Sequence, residues 1–384
     1  MLKTLLMLAQ TKTTRMAKVS ETTLEINLAS LKHNFEYLKS KLQNNTLFLA
    51  VVKAFAYGSD ASIVAKTLQE LEVDYFAVAY ISEGVALRKA GIKTPILVLH
   101  PQPNNLSLAI EHCLEPSLYT LKIVKAFARV ARALNQKNYP VHIKFNTGLN
   151  RLGFESEELD LVAEQFSETT ALKVKSVFSH LAASEDLEEK EFTLNQIALY
   201  KALSTAFIEK LGYPVMRHLC NTSGVLNYPE AHFDMVRCGI GLYGYGNSKS
   251  EEQNFKPIAA LKSVISQIHV VEKGESVGYN RGFISPSTSK IATLPIGHAD
   301  GIGRHFGHGV GCVSIGNKKA PIVGNVCMDM IMVDVTQIDC EEGDEVELFG
   351  PALSAETSAE TANTISYELI TGISQRVNRK ILRK

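Results

Sequence analysis

The sequence predicts an α/β chain: a (β/α)8 TIM-type barrel followed by a mostly-β C-terminal domain. Three observations carry this. Between residues 27 and 250, short β-branched or apolar runs alternate with longer amphipathic stretches. The short runs number eight, the strand count of a closed barrel. After residue 250, strand-like runs follow one another without long helices between them. The expected organisation is therefore residues 1–26 as an N-terminal extension plus a strand joining the β domain, 27–250 as the barrel, and 251–384 as the β domain.

The eight runs are Leu47–Ala54, Tyr75–Tyr80, Pro95–His100, Glu115–Thr120, Val141–Thr147, Val174–Ala182, His218–Asn221 and Val236–Gly244. Helices are expected between most of them. One covers Ser82–Ala90, with Ser82 as N-cap and Gly91 as stop. Another covers Leu121–Asn138. A doubly wound sheet gives the same alternation, so the count alone leaves both folds open. A barrel requires chemistry at the C-terminal strand ends, and Lys53, Lys144, His180, Asn221 and Arg237 fall within or near the ends of these runs. In the second half the expected strands are Ala260–Val271, Lys290–Pro295, Val310–Ile315, Ala320–Val323, Ile331–Val335 and Glu345–Phe349, with Thr23–Asn27 added to the same domain. Ser354–Asn363 reads as a surface helix or loop.

Of 384 residues, 45% are apolar, enough for a sizeable core, and 40 basic residues balance 40 acidic ones. Balanced charge argues against nucleic acid or a membrane surface as partner. No apolar run reaches the ~18 residues that span a bilayer. The start, Met1 to Arg15, reads as an extension before Met16, an alternative start, rather than as a signal peptide, because no small-residue cleavage site follows its short apolar stretch. The six cysteines include no CxxC pair and are expected to be reduced and mostly buried, as in a cytoplasmic protein.

Several segments carry residue types suited to chemistry. AVVKAFAYG (50–58) puts Lys53 directly after a buried run; an amine taken from water has a lowered pKa and can act as a nucleophile, although a lysine at a strand end can also simply snorkel. VHIKFNTGLNRLGF (141–154) gathers Lys144, Asn146, Asn150 and Arg151 around a glycine turn. VFSHLAASED (177–186) holds His180 in an apolar run, where a lone histidine is more often a satisfied core residue. HLCNTSG (218–224) and VRCGIGLYGYG (236–246) set hydroxyls and small residues beside backbone amides that could cradle a phosphate, and Arg237 inside an apolar strand needs a buried acceptor. ESVGYNRGF (275–283), IATLPIGHADGIGR (291–304), PIVGNVCMDMIMVDVT (321–336) and TISYELITGISQRV (364–377) complete the set.

Together and in this order, these segments resemble the alanine racemase family from about Thr23 to Lys384. AVVKA-x-AYG and TG-x-NRLGF are the most specific matches, followed by VR-x-GI-x-LYG, SVGY, PIG-x-ADG and CMDM. The resemblance implies an isomerase that interconverts L- and D-alanine with pyridoxal 5'-phosphate (PLP) by a two-base mechanism, in the cytoplasm, supplying D-alanine for peptidoglycan. It implies that Lys53 is the Schiff-base lysine and acts on one face of Cα, and that Tyr279 acts on the other. Tyr279 would come from the partner subunit, so a homodimer would share its active sites. Lysine and tyrosine titrate on the order of three units above neutral pH, so both need environments that lower their pKa. By the same resemblance His180 and Arg237 form the network beside the tyrosine, with Arg237 facing the PLP ring nitrogen. A guanidinium there cannot accept the ring proton, which leaves the nitrogen neutral and the ring a weaker electron sink. Tyr57, Thr222, Gly239, Ile240 and Tyr367 would hold the phosphate, with Asn221 beside them. Arg151 would contact the cofactor's phenolic oxygen and the substrate side, Lys144 would be a carbamylated lysine orienting Arg151, and Met328 and Asp329 would lie near the substrate carboxylate.

The chain departs from the family pattern at Asn146 (usually Asp), His298 (usually Tyr), Asn325 (usually Arg) and Thr222 (usually Ser), which bears on the access channel and substrate preference. The alternatives are a racemase that also accepts serine, a basic-amino-acid decarboxylase, a non-catalytic PLP-binding protein, and a metal hydrolase using His298, Asp300, His305 and His308. A decarboxylase would have no use for Tyr279, and a PLP carrier would lack the β domain. The loop histidines accompany no helical ligand motif and read as solvated.

Overall fold

The computed structural model describes residues 21–167, 169–246 and 249–383. The leader and Met16 expectations lie outside these residues. The chain divides into two compact units, one built on Ile26–Ala259 and the other on Ala260–Lys380 with residues 21–25.

The first unit is a closed parallel barrel. Its strands are β2 (Leu47–Val51), β3 (Tyr75–Val78), β4 (Ile96–Val98), β5 (Glu115–Leu118), β6 (Tyr139–Lys144), β7 (Leu172–Phe178), β8 (Met216–His218) and β9 (Met235–Cys238), counting Thr23–Asn27 as β1. Closure is by β2 against β9, in the register Leu47↔Met235 to Ala50↔Cys238. Short runs such as YFAV and ILV are buried along their whole length, because a barrel strand is covered by side chains inside and by helices outside. The outer helices are amphipathic: Leu121–Ala133 turns Ile123, Val124, Phe127 and Ala131 inward.

Boundaries differ from the sequence expectation for local reasons. The first barrel strand stops at Val51, because the chain then enters a left-handed turn. Ser82 does not cap its helix. The helix Ile81–Lys89 starts one residue before it, and Glu83 reaches back to take the N–H groups of Ala79 (2.6 Å) and Tyr80 (3.0 Å). The helix expected to reach Asn138 ends at Ala133, and Asn135 and Asn138 adopt positive φ. The last barrel strand ends at Cys238, before a 3-10 turn over Ile240–Tyr243.

The second unit is organised by an antiparallel sheet. Its strands are β10 (Ala259–Val264), β11 (Gln267–Val271), β14 (Ser289–Leu294), β15 (Cys312–Ile315), β16 (Lys318–Val323), β17 (Ile331–Asp334), β18 (Glu345–Phe349) and β19 (Asn378–Leu382), in the order β11-β14-β17-β16-β15-β18-β10-β1-β19. The expected single strand Ala260–Val271 is two, broken at Ile265 and Ser266. A separate two-stranded ribbon, β12 (Ser276–Val277) with β13 (Phe283–Ile284), flanks Tyr279. Ser354–Asn363 contains the helix Ala355–Thr361. All six cysteines are free, but only Cys220 and Cys238 are buried; Cys113 is exposed and the rest are half-buried, because Cys312 opens its strand and the others lie in turns and loops rather than in the core. Among the described residues no helix is long and apolar enough to cross a membrane.

Candidate active site

Parallel strands put all their C-terminal ends at one mouth of the barrel. Lys53 follows β2, Lys144 ends β6, His180 follows β7, Asn221 and Thr222 follow β8, and Arg237 lies in β9 with Gly239 just beyond it. The eight-strand register therefore gathers residues spread over almost 190 positions of chain at one end of one barrel.

Lys53 opens a turn in which Ala54, Phe55, Ala56 and Tyr57 all have φ between 52° and 56°. Left-handed backbone costs a non-glycine residue roughly 1–2 kcal/mol, so something must hold this turn. Glu83 contributes: its Oε1 accepts the Ala54 N–H at 2.7 Å, while its Oε2 takes the start of the next helix. Burial, then repulsion from Arg151, pushes the Lys53 amine below its usual pKa against the opposing pull of Glu83. Lys144 is pushed down to about 8 by burial, and then by Arg237, Arg151 and Lys53.

Arg237 is buried, and its donors are taken by carbonyls and imidazoles. One terminal nitrogen meets His218 O (3.1 Å) and His218 Nδ1 (2.9 Å). The other meets Ser179 O (2.7 Å), Leu219 O (2.9 Å) and His180 Nδ1 (3.0 Å). Among the described residues it pairs with no carboxylate. Burial lowers it to about 10. Because a guanidinium only donates, both contacted Nδ1 atoms carry lone pairs, and the remaining proton of each neutral ring sits on Nε2. Burial and then the charge of Arg237 hold both His180 and His218 well below the ordinary histidine pKa.

That constraint propagates through the barrel interior. His218 Nε2–H donates to Ser176 Oγ (2.7 Å), Ser176 donates to His142 Nδ1 (2.5 Å), and His142 Nε2–H donates to Glu115 Oε2 (2.8 Å). Each member comes from the next strand, from β9 back to β5, and His218, Ser176 and His142 have no solvent exposure. Burial alone would raise the Glu115 carboxyl, but hydrogen bonds from His142 and Tyr75 outweigh it and hold it below the usual carboxylate range. Glu83, His218, Ser176, His142 and Glu115 were not among the sequence candidates. In the sequence they are ordinary residues of their runs; only the register of adjacent strands lines up His218, Ser176, His142 and Glu115, and only the fold brings Glu83, on the helix Ile81–Lys89, against the Lys53 turn.

Thr222 and the glycine turn after β9 form a cradle. Thr222 Oγ1 accepts the N–H groups of Gly239 (3.2 Å) and Gly241 (3.3 Å). A Cβ on Gly239 would come within 2.3 Å of the Tyr57 hydroxyl, and one on Gly241 within 2.7 Å of Thr222 Cγ2. Tyr57 stacks on Tyr243 at 4.3 Å. Asn221 caps the helix Thr222–Asn227 by accepting the Gly224 N–H at 2.8 Å. Hydroxyls and backbone amides converging on a space that only glycine leaves open fit a phosphate, and a desolvated lysine with a carboxylate-free arginine fits the rest of PLP. In the Asn146 loop, Oδ1 accepts from Gly148 and Asn150, while Nδ2 donates to Asn150 Oδ1 (2.8 Å) and Glu155 Oε1 (2.9 Å). An aspartate could not make the last two bonds.

The second unit carries the other candidates. Tyr279 is 75% exposed on its turn, and Met328 is 60% exposed. They line a hollow of ≈ 880 Å³ together with His298, Arg304, Asn325 and Asp329. Asp329 accepts from Arg376 at 2.7 Å, and the same guanidinium grips Asp300 at 2.7 and 3.0 Å. Tyr367 lies on the helix Ser366–Thr371. Asp300 and His308 of the hydrolase alternative are thus engaged by Arg376 and Asn325.

A closed parallel barrel with these residues at its mouth, in one chain with a β-rich unit, defines the class of barrel proteins that carry a C-terminal β domain. The chain belongs to the alanine racemase family: the family models "Alanine racemase, N-terminal domain" and "Alanine racemase, C-terminal domain" match residues 26–247 and 258–381. It is 36% identical over 372 residues to "Alanine racemase 2" of Caldanaerobacter subterraneus subsp. tengcongensis, covering 94% of this chain and 95% of that protein. Its fold matches the solved alanine racemase of Clostridium difficile 630 with a TM-score of 0.89 at 33% identity, covering 95% and 97% of the two chains. It also matches that of Bartonella henselae, solved with covalently bound pyridoxal phosphate, with a TM-score of 0.86 at 28% identity, covering 95% and 100%.

Proposed function

We propose that this protein is a PLP-dependent alanine racemase that interconverts L- and D-alanine through Lys53 and Tyr279. The observation that carries the reading is the pairing, at one barrel mouth, of a desolvated lysine with a buried arginine held by histidines rather than a carboxylate. When bound, PLP links covalently to an amino group and draws electrons from the neighbouring Cα, which makes its proton removable.

The chain's own residues do the rest. Tyr57, Thr222, Gly239 and Ile240, with Asn221 beside them, would hold the phosphate. Arg237 faces the ring nitrogen and cannot take its proton, which limits electron withdrawal and with it side reactions such as transamination. The lowering of the Lys53 pKa by burial and Arg151 favours the uncharged amine, the form that can remove the Cα proton on one face, with the ammonium returning it. The Tyr279 hydroxyl does the opposite on the other face, so that in each direction one group takes a proton and the other delivers one. His180, whose Nδ1 is occupied by Arg237, has its Nε2–H left to donate to the Tyr279 oxygen. Arg151 contacts the phenolic oxygen of the cofactor and the substrate side, and Met328 and Asp329 lie by the substrate carboxylate. Lys144, a cation crowded by three others, is suited to carbamylation: its neutral amine adds CO2 and releases a proton, which yields an anion beside Arg151.

The exposure of Tyr279 and Met328 accords with a homodimer in which each copy supplies Tyr279 to its partner's barrel. Six free cysteines accord with a cytoplasmic place, where D-alanine would feed peptidoglycan synthesis. The test is to incubate PLP-loaded protein with L-alanine in D2O. Deuterium at Cα with convergence of L and D is expected, and the same assay with serine measures breadth. Bound cofactor without exchange would refute the reading.

A further inference from the structure

We infer that Asn325 is a positioning residue for Tyr279, oriented by Arg304 and His308; the inference rests on the reading of Tyr279 as the second acid/base. The turn that presents Tyr279 is strained. Gly278 has φ 74° with ψ −177°, a region open to glycine alone, and Asn280 and Arg281 follow at φ 56° and 51°. Val277 and Phe283, on either side of the turn, anchor the ribbon on the buried cluster Val271, Ile291, Val323 and Met332. A Cβ on Gly278 would sit 2.8 Å from Met332 Cε. This packing holds the ribbon, but the turn itself is exposed.

What reaches the turn is the Asn325 side chain, whose Nδ2 donates to the Tyr279 carbonyl at 2.9 Å. The Gly282 N–H shares that carbonyl at 3.2 Å. Asn325 Oδ1 in turn accepts from Arg304 at 3.0 Å and from His308 Nε2 at 3.2 Å. Arg304 has no acceptor, so the amide atom facing it must be the oxygen, and the NH2 is thereby turned toward Tyr279. The Arg304–His308 segment is itself tied to the strand before Asn325 by His308 N–H to Gly324 O at 2.9 Å. Two loops therefore converge on one amide, and that amide grips the main chain of the tyrosine. The clamp sets where the phenol stands without touching the reacting atoms.

Asn325→Asp keeps the size and the acceptor oxygen but replaces the donor with a second oxygen facing the Tyr279 carbonyl. Misplacing a reacting group by about 1 Å costs up to ~100-fold in rate, so a fall in kcat of about 10- to 100-fold is expected, with KM nearly unchanged. The deficit should fall on one face: Cα-deuterium isotope effects should rise for one alanine enantiomer and not the other, while melting temperature and cofactor absorbance stay at their original values. A merely structural role would lower stability and leave the isotope effects symmetric, which would overturn the inference. Normal kcat in Asn325→Asp alongside impaired one-face exchange in Tyr279→Phe would also overturn it, while leaving the role of Tyr279 intact. Normal exchange in Tyr279→Phe would remove the premise itself. Should Asn325→Asp fail to fold, Arg304→Ala leaves the amide in place without its orienting donor; unchanged isotope effects there would overturn the inference equally.

Discussion

Ser176→Ala removes a single oxygen from the middle of the barrel, and its consequence can be worked from the donor order. Arg237 forces the proton of His218 onto Nε2, so Ser176 must accept from His218 and give its own proton to His142. Alanine strands both, a buried N–H on His218 and a buried lone pair on His142. Each unsatisfied buried group costs roughly 1–3 kcal/mol, giving about 2–6 kcal/mol for the two, since neither ring has any exposure through which water could replace the hydroxyl. The assay is urea unfolding of the cofactor-loaded protein at one fixed pH near 8, with the transition of the barrel followed. Ser176→Thr retains the hydroxyl and should recover part of the loss. A destabilisation under about 1 kcal/mol for Ser176→Ala would mean that the hydroxyl does not bridge the two rings, and the directed chain from Arg237 to Glu115 would fall with it.

The same residues set a pH dependence. Burial and Arg237 lower the folded pKa of His180 and His218 below the unfolded value near 6.5. The folded state then binds fewer protons, so stability is complete above about pH 6.5 and declines as pH falls below it; a melting temperature flat from pH 8 to 5 would contradict this. Gly239→Ala places a Cβ 2.3 Å from the Tyr57 hydroxyl and should weaken PLP affinity by at least about tenfold, a loss of ~1.4 kcal/mol, as read by equilibrium titration of the apoprotein; unchanged affinity would put the phosphate elsewhere. Lys53→Ala and Tyr279→Phe should each be inactive as racemases, and mixing them should restore part of the activity through one intact site per heterodimer. No recovery despite demonstrated subunit exchange would argue against sites shared across a dimer.

Lys53 directly after a buried run, Arg237 inside one, and glycines clustered just beyond it drew notice in the sequence, but each segment alone also had an ordinary reading; it was their joint order that resembled the alanine racemase family and gave them roles. The eight barrel strands were legible directly, since a strand covered on both faces must be apolar throughout and stands out from the amphipathic helices around it. Boundaries were less so. The run through Ala54 reads as strand because nothing in AFAY marks a left-handed turn; its φ values are imposed by tertiary contacts, among them the bond from Ala54 to a carboxylate 29 residues away. Asn325 reads in the sequence only as an absent arginine. Its neighbours in space show it gripping the Tyr279 turn.

The sequence by itself determined the order of elements, the barrel followed by the β domain, because that depends on periodicity; the lysine, arginine and tyrosine on which the chemistry is read were marked by the resemblance of several ordered motifs to the alanine racemase family, not by any one segment. The tertiary structure alone decided which nitrogen of His180 and His218 holds a proton, how Ser176 and His142 carry that constraint to Glu115, and which way the Asn325 amide faces. A hydrogen bond's direction depends on both partners at once, and here the partners lie on different strands and loops, so no single segment of sequence holds the information.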